Sequence, residues 1–235
     1  MLLQLSNDFI DAIKRNDTDI INRSLQAYKE INELQILNEL TTDKQKIVFW
    51  SNVYNGCFQY CAQKANPSDE KGFTKLFFTT KCIIFKDLEL SFDDVEHRIL
   101  RQNRWKYGLG FIKGGNRKNP LTSLMLEKLD FRVHFILNCG AKSCPLIVPL
   151  DIETAEIKLE ESMLIYMANE VLTNRDEQLI YINKLFLFYL GDFGGKRGLK
   201  RLFFEKGIIK KDALNYKWKY VAFDKSIKLL NFRNN

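Results

Sequence analysis

The chain has two histidines, four prolines and twelve glycines among 235 residues. It also lacks any apolar run near the roughly 18 to 20 residues that a membrane-crossing helix needs. With only His97 and His134, 37 residues apart, it has no local pair of imidazoles to chelate a metal. No internal repeat, low-complexity tract or convincing linker divides it, so one domain is the simplest reading. The opening, MLLQLSNDFIDAIKRND, lacks the basic start of a secretory signal and turns acidic by Asp8, so it reads as an amphipathic helix. Residues 98–118 hold seven Lys or Arg and no acidic residue. The glycines at 108–120 have neither the spacing nor the preceding strand of a phosphate-binding loop.

What is present is close to a globular average, with 46% apolar and 28% charged residues. Five cysteines (Cys57, Cys61, Cys82, Cys139 and Cys144) make an odd number in a chain too large to need disulfide staples. Buried free thiols behave as small hydrophobes, and this pattern suits a reducing compartment, with the cytoplasm as the expectation. The net charge of +7 is uneven: residues 196–219 carry nine Lys or Arg against Glu205 and Asp212. Such blocks attract polyanions, but no nucleic-acid motif accompanies them, so nucleic acid is not the expected partner.

Periodicity predicts a mostly helical α+β domain packed around a small sheet. Leu2, Leu5, Phe9, Ile10 and Ile13 mark a first helix, and Asp17 or Thr18 is placed to cap a second. Residues 43–65 give a longer helix closing before Asn66–Pro67. Residues 82–85 suit a short buried strand, and Ser91 with Asp94 three residues on forms the capping box of another helix. Residues 131–138 alternate as a strand, with Val133, Phe135 and Leu137 on one face and Arg132, His134 and Asn138 on the other. A helix is expected over about 153–172, a strand near 179–182, helices around Phe186 and 199–205, and a final strand around 220–223.

The stretch RVHFILNCGAKSCP places an imidazole five residues before a Cys–Gly pair, with a second cysteine directly before proline. Imidazole beside thiol is raw material for a thiol nucleophile or a metal site. Three blocks in order, FWSNVYNGCFQ (49–59), LSFDDVEHRILR (90–101) and RVHFILNCGAKSCPLI (132–147), resemble the domain-of-unknown-function 547 family. The later IYINKLFLFYLGDFGG (180–195) resembles that family's segment ending in Asp-Phe-Gly, so the likeness covers roughly 45–195 of a single 1–235 domain. The pattern departs around Lys217–Trp218–Lys219, where the family carries Asp-Trp. The resemblance implies that the family's polar signature falls on Asn52, Asn55, Glu96, His97, Arg101, His134, Asn138, Cys139, Ser143 and Cys144, without assigning roles.

Three readings follow. In the first, a thiol hydrolase or acyltransferase uses Cys139 as nucleophile and His134 or His97 as base. Glu96 or Asn52 orients the imidazole, and Gly140 lets backbone N–H groups approach an oxyanion. Asn55, Asn138, Ser143, Cys144, Arg101 and Arg132 then surround a small-molecule or peptide substrate, the two arginines being suited to a carboxylate or phosphate. An internal ion pair with Glu96 is the structural alternative for the arginines. In the second, His97, His134, Cys139 and Cys144 hold zinc, the one cofactor in view. In the third, the same groups form a buried polar network in a binding or scaffold module. Glu96 and His97, adjacent on an α-helix, would point about 100° apart. Asp192 reads as a helix cap. Substrate and oligomeric state are not legible in the residues.

Overall fold

A computed structural model describes residues 1–65, 73–115 and 120–233. The first apolar stripe folds as α1 (Leu2–Arg15), which buries Leu2, Phe9, Ile10 and Ile13. Asp17 caps α2 (Thr18–Glu30) by accepting the Ile20 N–H at 3.1 Å. Asn32 and Gln35 form a reciprocal capping box on the short α3 (Glu33–Glu39). The central rod is α4 (Asp43–Ala65), buried without interruption over residues 47–59. A helix with apolar residues on every side has to lie inside the molecule, and its buried Asn52, Asn55 and Gln59 then need partners there. The Asn66–Pro67 boundary falls outside the described residues.

Around α4 gathers the larger apolar cluster, including Trp50, Phe58, Phe85 and Phe92. Truncating a wholly buried ring such as Trp50 or Phe58 to Ala costs roughly 3–5 kcal/mol. α5 (Lys75–Thr79) closes over this cluster through Phe77, which stacks on Phe92 at 5.5 Å. The antiparallel pair β1 (Ile83–Ile84) and β2 (Glu89–Leu90) lies beside it, with Ile83 opposite Leu90.

A smaller apolar cluster is built by the end of α6 (Ala155–Glu170), β3 (Val171–Asn174), β4 (Leu179–Asn183), α7 (Leu185–Phe188), α8 (Gly195–Glu205) and β5 (Lys217–Val221). β3 pairs antiparallel with β4, and β4 pairs parallel with β5, the register setting Ile180 opposite Trp218. A parallel pair needs a crossover, which α7, α8 and a 3₁₀ turn (Lys211–Asn215) provide. The architecture is a mostly helical α+β fold with small two- and three-stranded sheets. No helix among the described residues is long and apolar enough to cross a membrane.

The sequence expectation had no strand at β2 or β3 and began the last strand three residues late, and two further elements differ in type. Residues 131–138 are not a strand: Phe131–Phe135 wind into a 3₁₀ helix that Asp130 starts by accepting the Arg132 N–H at 2.9 Å. No neighbouring strand offers this segment a ladder, and it is buried on every side rather than on alternate faces, with Val133, Phe135, Ile136 and Asn138 all inside. After the Ser91–Asp94 capping box, which forms as expected, the turn Asp94–Leu100 is a π-helix. Its wide turn closes through the Arg101 N–H to the Glu96 carbonyl at 2.9 Å. Such bulges recur where side chains must be re-aimed.

Candidate functional site

The stretch after the 3₁₀ helix is positioned by three amides one or two turns apart on α4. Asn52 Nδ2 donates to the Leu150 carbonyl at 2.8 Å, and its Oδ1 accepts the Leu150 N–H at 3.0 Å. Asn55 repeats this on the Ile136 carbonyl and the Asn138 N–H, both at 2.9 Å. Gln59 donates to Asn138 Oδ1 at 3.3 Å and accepts the Leu230 N–H at 2.7 Å. A side-chain amide offers a donor and an acceptor together, so it satisfies buried irregular backbone as a strand neighbour would. Asn138 adds an internal brace, donating to the Pro145 carbonyl at 2.8 Å. Ser143 ties the same loop to the tail, its Oγ accepting the Asp224 N–H at 2.9 Å.

Inside this loop the two cysteine sulfurs meet, Cys139 Sγ lying 2.8 Å from Cys144 Sγ. The Cys144 sulfur also accepts the Cys139 backbone N–H at 3.2 Å. The hydrogen bond to Cys144, and then burial, push the Cys139 thiol well above its usual range. Neither imidazole hydrogen-bonds Cys139. The Gly140 N–H donates to Asn138 Oδ1 at 2.9 Å, so both amides flanking the Cys139 carbonyl are engaged and no oxyanion hole stands open there. Gly140 is glycine for a packing reason: φ is +73°, and a Cβ would lie 2.8 Å from both Phe58 and Phe73.

A second group of polar side chains is centred on Asp192, which is no helix cap. Its Oδ2 accepts from Arg101 Nε at 2.7 Å and meets His134 Nε2 at 2.8 Å, with all three side chains essentially shielded from solvent. Arg104 Nε approaches Oδ1 at 3.3 Å. Burial alone would raise Asp192, but the bonds and charges of His134 and Arg101 hold it below the ordinary carboxylate range. Burial lowers His134, and the Arg101 charge lowers it further against the pull of Asp192. A charged Asp192 facing a neutral imidazole makes Nε2–H the donor, which leaves the Nδ1 lone pair able to take a proton. Tyr189 stacks on the His134 ring at 3.8 Å and lies under the Arg101 guanidinium at 4.6 Å. Its hydroxyl donates to Glu96 Oε1 at 2.7 Å. Burial would raise Glu96, but His97, Arg101 and the Tyr189 bond bring it below its usual value.

The two groups share a cavity of about 160 Å³ lined by Glu96, His134, Cys139, Cys144, Tyr54 and Tyr189, with Leu185, Phe188 and Phe223 as its apolar wall. Three of the four side chains expected to do catalysis therefore line one space. His97 is the exception. Its Nδ1 meets Arg101 Nη1 at 2.8 Å, and the ring lines a separate, more open cavity of about 400 Å³ with Asp93, Arg98 and Lys106. The π turn still brings Glu96 Oε1 within 3.5 Å of His97 Nδ1, closer than adjacent positions on an α-helix suggest. Arg101 pairs with Asp192 rather than Glu96. Arg132 stands apart, bound to Asp130 at 2.6 Å and Glu156 at 2.9 Å near the surface. Among the described residues no three His, Cys, Asp or Glu side chains gather as a metal-ligand set.

Tyr189, Arg104 and Gln59 went unassigned from the sequence, and Asp192 was assigned only as a cap. The available signal for Asp192 was one carboxylate set in FLFYLGDFGG, an otherwise apolar run where an acid needs a buried partner. Gly191 explains how it gets there. The Gly191 N–H donates to the Leu109 carbonyl at 2.7 Å, and a Cβ at Gly191 would lie 2.4 Å from the Gly110 carbonyl carbon. Two backbones cross in contact, which delivers Asp192 to the arginines.

No curated protein and no solved structure matches the chain. The family model described as "Protein of unknown function, DUF547" matches residues 37–167, a span that holds Glu96, His134 and both cysteines and stops short of Asp192. With more than half of its length matched, the chain belongs to the DUF547 family of proteins of unknown function.

Proposed function

We propose that the cavity is the active site of a thiol-dependent hydrolase or acyltransferase acting on an ester, thioester or amide of a small molecule or peptide. The observation that carries this reading is that Glu96, His134 and the Cys139–Cys144 pair line one cavity while Asp192 holds His134 in the base-competent tautomer. A base oriented by a buried carboxylate is the arrangement that activates thiol nucleophiles. The sequence puts the nucleophile on Cys139. The hydrogen bonds add Cys144 as the sulfur that accepts from its neighbour, so the reading assigns attack to the pair. His134 Nδ1 takes the thiol proton, the thiolate adds to the acyl carbon, and the same imidazole returns the proton to the leaving group. Water or an acceptor then releases the acyl group. The apolar wall suits an acyl chain, and the Glu96–Tyr189 pair suits a hydrogen-bonding group on the substrate.

Incubation with p-nitrophenyl acetate tests this reading. Acetyl mass should appear on tryptic peptide 133–142 or 143–158, with a burst of nitrophenol, and His134→Ala should slow it by about 10²-fold or more. Absence of acetyl on both cysteines, or equal labelling in the His134 variant, would overturn it.

The raised Cys139 thiol and the engaged Gly140 N–H favour a second reading, in which the whole constellation is a structural network of a binding or scaffold module. In that case His134→Ala would lower stability and leave thiol reactivity unchanged.

A further inference from the structure

We propose that Cys139 and Cys144 form a thiol–disulfide exchange site, which reduces a small carboxylate-bearing disulfide such as glutathione disulfide and closes into an intramolecular disulfide. This goes beyond acyl transfer and stands on the sulfur–sulfur contact alone. At 2.8 Å the two sulfurs already face each other inside a turn held by the Cys144 N–H to the Ala141 carbonyl at 3.0 Å. A disulfide bond is about 2.05 Å long, so closure asks for a shift of less than about 1 Å in a loop braced at both ends.

The contacts also set the order of events. Cys144 Sγ accepts the Cys139 N–H and lines both cavities beside the pair, so the first attack is placed at Cys144. The push on the Cys139 thiol away from ionisation agrees with this. Cys144 is buried in the fold, yet it lines two spaces: the 160 Å³ cavity and another of about 200 Å³ between the loop and α6. Lys142, Lys228 and Arg233 stand around the second space, and Arg233 Nη1 is buried without a hydrogen-bond partner among the described residues. Glu170 lines the same space, and Glu161 and Asp224 pair with Arg233 and Lys142, so three carboxylates offset part of that charge, while Lys228 pairs with neither Glu161 nor Asp224. The cations would hold the carboxylates of the incoming disulfide.

In the exchange, the Cys144 thiol gives its proton to solvent and the thiolate attacks one sulfur of the disulfide, whose S–S bond breaks, and the first small thiolate leaves and takes a proton from solvent. The Cys139 thiol then gives up its proton and attacks the Cys144 sulfur of the mixed disulfide. The second small thiolate is expelled and takes that proton. Two protein thiols and one small disulfide become one protein disulfide and two small thiols. On the acyl-transfer reading, this would also switch the nucleophile off in an oxidising setting.

Lys142 lies between the two cysteines, so trypsin separates peptides 133–142 and 143–158 unless a disulfide joins them. The full chain is incubated with graded ratios of oxidised to reduced glutathione, quenched with acid, alkylated and digested. The joined peptides should appear as the ratio rises and separate on reduction. Cys139→Ser should stop at glutathione on Cys144, whereas Cys144→Ser should take up glutathione at Cys139 about tenfold more slowly or less. Circular dichroism of both variants checks that the fold is kept. Cys61 and Cys82 also hydrogen-bond each other but line neither cavity, so they serve as the internal control. If the joined peptides never form, or if only Cys61 and Cys82 become linked, the proposal fails. No acyl substrate enters this experiment, so its failure and that of the acyl-transfer reading are separate results.

Discussion

Asp192 balances two arginines and an imidazole with one carboxylate, and its charge is what makes that burial tolerable. Removing one member of a buried ion pair strands the other in a poor solvent, at a cost of about 3–5 kcal/mol. Asp192→Asn should therefore lose about that much in urea denaturation, and it should also free the His134 ring from its fixed tautomer. A loss under about 1 kcal/mol would mean that Arg101 finds solvent or another acceptor. At Asn55 the effect is neutral in charge but similar in kind. Asn55→Ala would leave the Ile136 carbonyl and the Asn138 N–H unsatisfied, each worth about 1–3 kcal/mol, and should loosen the cysteine loop. Faster alkylation of Cys139 and Cys144 in that variant is the readout. The Asn pair was legible in the sequence as one stripe of a helix. Backbone of the central loop was one target that spacing allowed, but the particular groups were not legible, because they lie about 80 to 100 residues away.

Among the elements, the π turn and the glycine crossing decide where the site's side chains go. An ordinary α-helix through residues 94–100 would keep Glu96 and His97 about 100° apart. The wider turn lets Glu96 face the thiols while Arg101 reaches Asp192. Gly191→Ala would force a Cβ into the Gly110 backbone and part the 104–113 segment from the turn after α7. The expected result is a lower melting midpoint together with a changed His134 ring environment by NMR, both arising far from the substituted backbone. An unchanged His134 signal would show that Asp192 is placed by other contacts. The longer helices and the strands at 83–84 and 179–183 were readable from periodicity and caps because those signals are local, whereas β2 and β3 were not. The 3₁₀ segment was misread as a strand because alternation records burial, and this piece is buried on all sides by contacts from elsewhere in the chain.

At the scale of the whole molecule, the Asp192 network joins the π turn beside the large apolar cluster to the 3₁₀ helix and the α7–α8 turn beside the small one. That junction is sensitive to acid. Burial lowers both imidazoles in the folded chain, and Glu96 and Asp192 are held below their ordinary range. Each of these groups binds a proton more readily unfolded than folded, so the unfolded state takes up more protons as the pH falls. Their contribution to stability is complete above the unfolded histidine value of about 6.5 and is lost progressively below it, first through the histidines and then through the carboxylates. Urea midpoints should hold between about pH 8 and pH 7 and fall from there to about pH 5, and a midpoint that rose toward acid would contradict the neutral-imidazole assignment.

The sequence by itself determined the helical stripes and the capping residues, since each of these depends on residues a few positions apart, and its ordered blocks identified the family. Only the tertiary structure decided that Asp192 is the hub, that His97 faces another cavity, and that Cys139 meets Cys144 rather than an imidazole. Those outcomes depend on where distant backbones cross and on which buried groups that brings within reach of each other, and local spacing carries no record of either.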